Sequence, residues 1–477
     1  MKIEQIYTGC LAQGAYYIES AGEVAVIDPL REVQSYLDKA ANDKSTIKYV
    51  LETHFHADFV SGHLDLARKA NAAIVYGPNA QTGFDAYVAK DGEELKLGDV
   101  TIRVLHTPGH TMESTCYLLL DEQGKETALF SGDTLFIGDV GRPDLAQKSD
   151  LTIDDLAGYL YDSLRNKIMP LPNNVIVYPA HGAGSACGKN MSKETTDTLG
   201  NQKLFNYALR ASMSRDEFIR EVTDGLLAPP NYFPQNVQLN KQGYESIDTV
   251  LNRGTQPLAP DAFEAAANET GAVVLDVRPA QEFSRGFIPN AINIGLGGQF
   301  APWVGALIPN VRQEILIVCQ PGTEQETLTR LARVGYDQVL GYLQGGFDAW
   351  AGSGKETDTI TSILADTLAD RLEAGKAVVV DVRKPGEFET GHISGATNIP
   401  LDYINERMAE FPKGETIYIH CAGGYRSMVA ASILKARGYE DVVDIAGGFN
   451  AIQKTGRIAT TDYVCPTTLT SASEKAV

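Results

Sequence analysis

The C-terminal half of this chain carries its own pattern twice, and that repeat constrains the fold more than any other feature. Residues 273–294 read VVLDVRPAQEFSRGFIPNAINI and residues 378–399 read VVVDVRKPGEFETGHISGATNI. Asp276 and Asp381 stand 105 positions apart, and Ile294 and Ile399 keep that separation. Downstream, GGFDAW (345–350) answers GGFNAI (447–452) at an offset of 102, as Cys421 answers Cys319. Each unit runs as an apolar strand, a helix-like segment, a second apolar strand ending in Cys, and a helix. That alternation predicts two α/β domains on largely parallel sheets, over 251–353 and 360–460. The polar segment AGSGKETDT (351–359) reads as the linker between them. Its GSGK is no phosphate loop, because the upstream Gly is missing and Glu356 replaces the hydroxyl residue. The tail 461–477 reads as frayed.

At 477 residues the chain is too long for one core. Its 43% hydrophobic and 21% charged content is that of a globular protein. A net charge of −20 excludes a non-specific grip on nucleic acid or an anionic membrane, while leaving small anionic substrates open. Glu4 and Gln5 stand where a signal peptide needs an apolar run, and no stretch approaches the roughly 18 apolar residues of a membrane span. The six cysteines, Cys10, Cys116, Cys187, Cys319, Cys421 and Cys465, lack paired spacing. Free thiols in a reducing compartment, and hence a cytoplasmic protein, are expected.

Residues 1–250 form a different domain with a helical extension. Short strands recur there: AYYIES, VAVIDP, YVLETH, AAIVYG, TIRVLHT, TALFSGD and NVIVYPAH. Residues 64–71 and 200–227 read as helical, and 229–243 as an irregular connector. Many of the strands end in Asp or His, which places polar side chains at one edge of buried sheets. THFHADF (53–59) is followed by His110 in TPGHT, Asp133 in SGDT and His181 in YPAHG. Four strand ends bearing imidazole and carboxylate predict convergence on a first-row transition ion. His63 and His106 read as packing or surface groups.

These segments resemble the metallo-β-lactamase superfamily, whose pattern is HxHxDH followed by His, Asp and His. The resemblance implies an αββα sandwich with the metal at the edge of two sheets. This chain supplies His54, His56 and Asp58 but has Phe59 at the sixth position. Losing that imidazole removes a ligand of the second metal site and leaves one metal as the expectation. Within the superfamily the chain resembles the persulfide dioxygenases, also through GDVGRPDL (138–145). That resemblance implies one Fe(II) held by His54, His110 and Asp133, a facial triad with positions open for dioxygen and substrate. His56, Asp58 and His181 would then orient ligands or bond iron-bound water. Two readings stand for Arg142: attracting an anionic persulfide or steadying the segment after Asp133, and bracing against Asp144. Two also stand for Cys187: a sulfur carrier beside the iron, and a small buried residue in a Gly/Ala loop.

In the second repeat, IYIHCAGGYRSMVAA (417–431) places a Cys at a strand end, a small-residue loop closed by Arg426, then an apolar helix. Loop N–H groups and the helix N-terminus favour thiolate and bound anions there. This is the rhodanese pattern CxxGxR, and the resemblance implies a persulfide on Cys421 as a catalytic sulfur carrier with Arg426. The first repeat departs from it with CQPGTE (319–324), where Glu324 faces the place of Arg426 and Pro321 removes a donor. Cys319 is therefore expected not to carry sulfur, and His392, which is Phe287 in the first repeat, reads as a fold residue.

The whole chain thus resembles a persulfide dioxygenase–sulfurtransferase fusion. The implied activity oxidises glutathione or coenzyme A persulfide with O2 to sulfite and adds sulfur from Cys421 to give thiosulfate, as sulfide detoxification. Joining the domains raises the effective sulfite concentration at Cys421. A homodimer or tetramer is the family-based expectation. The alternatives are a zinc thioester hydrolase of glyoxalase II type, against which Phe59 and the attached repeats count, and a sulfur-binding protein whose metal domain is a scaffold.

Overall fold

A computed structural model of the chain describes residues 1–145, 151–189, 191–226, 228–375 and 377–461. Cys465 and residues 462–477 of the expected tail lie outside them. The chain divides into two compact units, Met1–Val250 with Thr329–Asp337, and Leu251–Leu328 with Gln338–Val477. Most of both repeats therefore lies in one unit.

The first unit is an αββα sandwich. One six-stranded sheet runs in the order Lys2–Thr8, Gln13–Ser20, Glu23–Ile27, Thr46–Leu51, Ala73–Tyr76, Tyr87–Val88. The other runs Asp197–Thr198, Ile176–Pro179, Glu126–Gly132, Thr115–Leu120, Val100–His106, Glu94–Leu97. Successive side chains of a strand point to opposite faces, and here both faces are buried. Tyr16, Ile18, Ala25 and Ile27 meet Tyr117, Leu119 and Phe130 between the sheets. Their neighbours Ala15, Tyr17, Val24 and Val26 face Tyr36 and Leu66 on the outer helices, and Cys116, Leu118 and Leu129 face Leu160 and Phe218 on the far side. This explains why the strands read as continuous apolar runs.

The structure corrects two readings. The expected connector 229–243 contains the helix Phe233–Gln242. Pro234 sits in its first turn, where a missing N–H costs nothing, and Gly243 at φ +97° ends it. The expected helical stretch 200–227 is broken into Leu199–Phe205, a short turn of helix at Tyr207–Leu209, and Arg215–Thr223, which Ser214 and Glu217 cap reciprocally.

The second unit holds two five-stranded sheets of the same topology. Their orders are Pro257–Leu258, Val339–Leu343, Ile315–Val318, Val273–Asp276, Ile292–Asn293, and Thr361–Ile363, Val442–Ile445, Ile417–His420, Val378–Asp381, Thr397–Asn398. Every strand pair in both is parallel. The repeated DVR and NI letters hold this architecture together. Arg278 grips both oxygens of Asp276 and donates to the Gly286 carbonyl at 2.9 Å, and Arg383 does the same with Asp381 and Gly391 at 2.8 Å. Asn293 and Asn398 each donate to two carbonyls of these turns. His392 stacks on Phe388 at 3.6 Å where Phe287 stacks on Phe283 at 4.2 Å, so the same aromatic place is filled in both repeats. Among the described residues no helix is long and apolar enough to cross a membrane.

Candidate metal centre and cysteine loops

His54 follows the strand Thr46–Leu51, His110 the strand Val100–His106, Asp133 the strand Glu126–Gly132 and His181 the strand Ile176–Pro179. The strand ends bring them to one edge of the sandwich. Asp133 Oδ2 lies 3.4 Å from His110 Nε2 and 3.9 Å from His54 Nε2, and Asp133 Oδ1 lies 3.6 Å from His181 Nε2. All four side chains are buried.

Hydrogen bonds behind these rings decide which nitrogen faces inward. His110 Nδ1 lies 2.9 Å from the Arg142 carbonyl, which can only accept, so the proton sits on Nδ1 and Nε2 presents its lone pair to Asp133. Thr53 Oγ1 donates to Asp28 Oδ2 at 2.8 Å and therefore accepts from His54 Nδ1 at 2.9 Å, which frees His54 Nε2 in the same way. Asp28, at φ +49°, also accepts from the Thr53 backbone at 2.8 Å. Gly141 is required beside this pair, because a Cβ there would lie 1.9 Å from the Asp133 carbonyl oxygen and 3.0 Å from His110 Nδ1. Burial, with His56, His110 and His181 nearby, holds His54 well below the ordinary imidazole range, which keeps it neutral and able to ligate.

His56 is turned differently. Its Nε2 lies 3.1 Å from Asp28 Oδ1 and 3.6 Å from Glu52 Oε2, and its ring packs on Phe59 at 4.4 Å. Burial would push this imidazole down, but Asp28, Glu52 and Asp58 outweigh it and hold the ring up at about 9. Asp58 Oδ2 is 3.6 Å from His181 Nε2, and burial pushes its carboxyl up. His56, Asp58 and His181 thus form a second group beside His54, His110 and Asp133.

The donor set fits a divalent ion. Both Asp133 oxygens and both His181 nitrogens are buried with no hydrogen-bond partner, an arrangement that is costly unless a cation satisfies them. Cys187 lies with Asp133 and His181 in a third group, its thiol pushed well up by burial and the carboxylates of Asp58 and Asp133. Arg142 grips Asp144 through Nε at 2.7 Å and a terminal nitrogen at 2.6 Å and donates to the Ala186 carbonyl at 3.3 Å. The brace reading of Arg142 describes this geometry.

In the second unit the Cys421 loop closes as Gly424 N–H donates to Cys421 Sγ at 3.1 Å. The corresponding N–H of the first repeat, on Gly322, donates instead to Glu324 Oε2 at 2.8 Å. Glu324 thus occupies the donor that the sulfur uses in the second repeat, and burial and this carboxylate push the Cys319 thiol up to about 12. Arg426 is not free: its two terminal nitrogens donate to Glu387 Oε2 and Oε1 at 2.6 and 2.8 Å. Tyr425 Oη donates to the Gly295 carbonyl at 2.8 Å, which ties the loop to the first repeat.

Asp28, Thr53, Glu52, Asn240 and Glu387 were not singled out in the sequence. Asp28 carried a signal, since VAVIDP ends in a carboxylate as the ligand-bearing strands do. Asn240 carried none.

The Metallo-beta-lactamase superfamily model matches residues 8–181, and the Rhodanese-like domain model matches 259–353 and 364–455. A metallo-β-lactamase from Staphylococcus aureus subsp. aureus COL aligns at 31% identity over 72% of this chain and 98% of that one, with a TM-score of 0.63. The chain belongs to the metallo-β-lactamase superfamily and carries two rhodanese-like domains. A hydroxyacylglutathione hydrolase of Francisella tularensis subsp. novicida is 36% identical over 168 residues, 35% of this chain and 61% of that protein. The chain spans about 60% of the length of the curated relatives of this name that it matches. ETHE1 from Myxococcus xanthus aligns at 28% identity over 51% of this chain and 99% of that one, with a TM-score of 0.44.

Proposed function

We propose that the chain oxidises a low-molecular-weight persulfide, of glutathione or coenzyme A, to sulfite at its N-terminal site and transfers sulfur at Cys421 to give thiosulfate. The observation that carries the first half is the convergence of His54 Nε2 and His110 Nε2 on Asp133 Oδ2, at 3.9 and 3.4 Å, beside a Phe59 that cannot ligate. His54, His110 and Asp133 would hold one Fe(II), which when bound supplies redox chemistry toward dioxygen. Thr53 and the Arg142 carbonyl keep the two imidazoles in the ligating tautomer. His181 and Asp58 line the centre from the other side and would orient water or hold a proton there. The overall change balances as persulfide, dioxygen and water going to free thiol, sulfite and protons. At Cys421 a sulfane sulfur would pass from the cysteine to sulfite, restoring the thiol. The reaction is that of sulfide detoxification in a cytoplasmic homodimer or tetramer.

A second reading is a thioester hydrolase of glyoxalase II type with zinc. The hydroxyacylglutathione hydrolase relatives favour it, as does the second group His56, Asp58 and His181.

The deciding experiment is oxygen uptake by full-length protein loaded anaerobically with ferrous iron, on adding glutathione or coenzyme A persulfide. Uptake that disappears in His110→Ala supports the dioxygenase. No uptake at confirmed iron occupancy, with thioester turnover by the zinc-loaded protein, overturns it in favour of the hydrolase. Cys421→Ser is expected to keep oxygen uptake and release sulfite in place of thiosulfate.

A further inference from the structure

Behind the Cys421 sulfur lies a line of buried groups that the rhodanese-like pattern does not account for. Cys421 Sγ is 3.6 Å from Ser427 Oγ, within reach of sulfur's larger radius, and Ser427 Oγ donates to Asp444 Oδ1 at 2.7 Å. Ser362 donates to the other oxygen, Asp444 Oδ2, at 2.8 Å, and Gln281 of the first repeat donates to Ser362 Oγ at 3.4 Å. Cys421, Ser427 and Asp444 are all buried.

The geometry fixes the direction of these bonds. Ser427 gives its only proton to Asp444, so toward sulfur it is an acceptor and takes the bond from the Cys421 thiol. At the start of the same helix, Gly424 N–H faces the same sulfur as a donor. The sulfur therefore has one partner that favours charge on it and another that offers its proton a way out. The groups facing Asp444 are Ser427 from the helix Tyr425–Ala436, Ser362 from the strand Thr361–Ile363 and Gln281 from the helix Ala280–Phe283, none of them charged. Burial pushes this carboxyl up, as suits a group that accepts a proton rather than one held by a cation. The nearest guanidinium in the loop, Arg426, is engaged with Glu387.

The repeat supplies an internal control. At the offset of 102 that relates Cys421 to Cys319, Ser427 corresponds to Gln325 and Asp444 to Tyr342. The repeat whose loop N–H is diverted to Glu324 also lacks both members of the line.

We propose that Asp444 is a positioning residue that acts through Ser427 to take the thiol proton of Cys421. This rests on the sulfur-transfer reading above. In that step the Cys421 S–H proton moves to Ser427 Oγ as the Ser427 hydroxyl proton moves to Asp444. The thiolate then attacks the outer sulfur of a persulfide donor. A bond forms between Cys421 Sγ and that sulfur, the donor's S–S bond breaks, and its electron pair leaves with the donor thiolate.

The test is the rate at which iodoacetamide alkylates Cys421 in the full chain as pH is varied, read on the Cys421 peptide by mass spectrometry. Asp444→Asn is expected to slow alkylation about tenfold or more at neutral pH, with rates converging on the parent's at alkaline pH, where hydroxide replaces the relay. Ser427→Ala should behave alike, Ser427→Thr should restore the parent profile, and the double Ser427→Ala/Asp444→Asn should be no slower than either single. An unchanged profile in Asp444→Asn, or a slowing equal at every pH, overturns the proposal. If Asp444→Asn does not fold, the Ser427→Ala and Ser427→Thr pair decides alone by the same criterion. Alkylation needs no sulfur donor, so it is independent of persulfide loading of Cys421, read as the mass gain of one sulfur. Loading that fails while the alkylation pattern holds removes sulfur transfer and leaves the relay standing.

Discussion

Asn240 and His56 lie 184 positions apart in the chain, yet the Asn240 side-chain amide donates to the His56 carbonyl at 2.8 Å. The same amide donates to the Phe59 carbonyl at 2.8 Å, and its Oδ1 accepts from the Ser61 backbone at 2.9 Å. One buried side chain thus satisfies three backbone groups of the loop that carries His54, His56 and Asp58. That loop lies outside the sheet ladders, so side chains such as Asn240, together with Glu113 and Tyr232, which bond Phe55 N–H and the Asp58 carbonyl, hold its backbone in shape.

Asn240→Ala is accordingly expected to strand those three groups and cost about 2–4 kcal/mol in urea denaturation. It should also weaken divalent-metal binding to the N-terminal unit by about tenfold or more, read by competition with a chelating dye. Metal affinity equal to the parent's would show that the loop holds its shape without the amide.

His63 sets a pH dependence of stability. Burial first, and His56 second, hold its imidazole down at about 3, against 6.5 for the free side chain. Between those two values the unfolded chain binds a proton that the folded chain refuses, so stability falls as pH is lowered from 6.5 to about 3, by about 1.4 kcal/mol per pH unit, and levels off below. His63→Phe, whose ring would pack against Phe84 and Tyr244 as the imidazole does, should flatten that arm of the stability curve. An acid arm of unchanged slope would assign the loss to other groups.

In the first repeat, Glu324→Ala releases the Gly322 N–H and removes a negative charge from the Cys319 loop. Alkylation of Cys319 should then begin at lower pH than in the parent, read on its own peptide, while burial still keeps it above an ordinary thiol. No shift would mean that burial alone silences this cysteine.

Arg31 is fully buried and donates to both oxygens of Asp337, at 2.6 and 2.8 Å, and to the Glu245 carbonyl at 2.9 Å. Arg31→Met removes the buried guanidinium that both Asp337 oxygens accept from and should cost about 3–5 kcal/mol, seen as a lower urea midpoint. Adding Asp337→Leu should recover most of it. A double variant as unstable as the single would place the cost in the lost carbonyl contacts.

Much of this molecule was legible in its sequence because the relevant signals are local or periodic. The repeat predicts two sheets of one topology, and each of its repeated letters, from Asp381 and Arg383 to Asn398, closes a turn within a few residues of itself or on the adjacent strand. Strand-end histidines and aspartates predict a common edge, since the ends of strands that run in the same direction emerge at the same side of a sheet, as those of Val100–His106, Glu126–Gly132 and Ile176–Pro179 do. Phe59 and Glu324 stand out as departures from a pattern, which needs no coordinates to see. The helix Phe233–Gln242 was missed because proline and asparagine weaken its local pattern, while burial of Phe233 and the hydrogen bonds of Asn240 to the His56–Ser61 loop supply stability instead.

What composition and spacing name is which side chains carry chemistry; how each is aimed depends on partners distant in the chain. Which His54 nitrogen faces Asp133 is decided by Asp28 through Thr53, and which His110 nitrogen by the Arg142 carbonyl. The carboxylate behind Cys421 comes from another strand of the sheet, through Ser427. A hydrogen bond specifies direction over about 3 Å and its partner can lie anywhere along the chain, so periodicity carries no record of it. Only the folded backbone brings donor and acceptor to that distance.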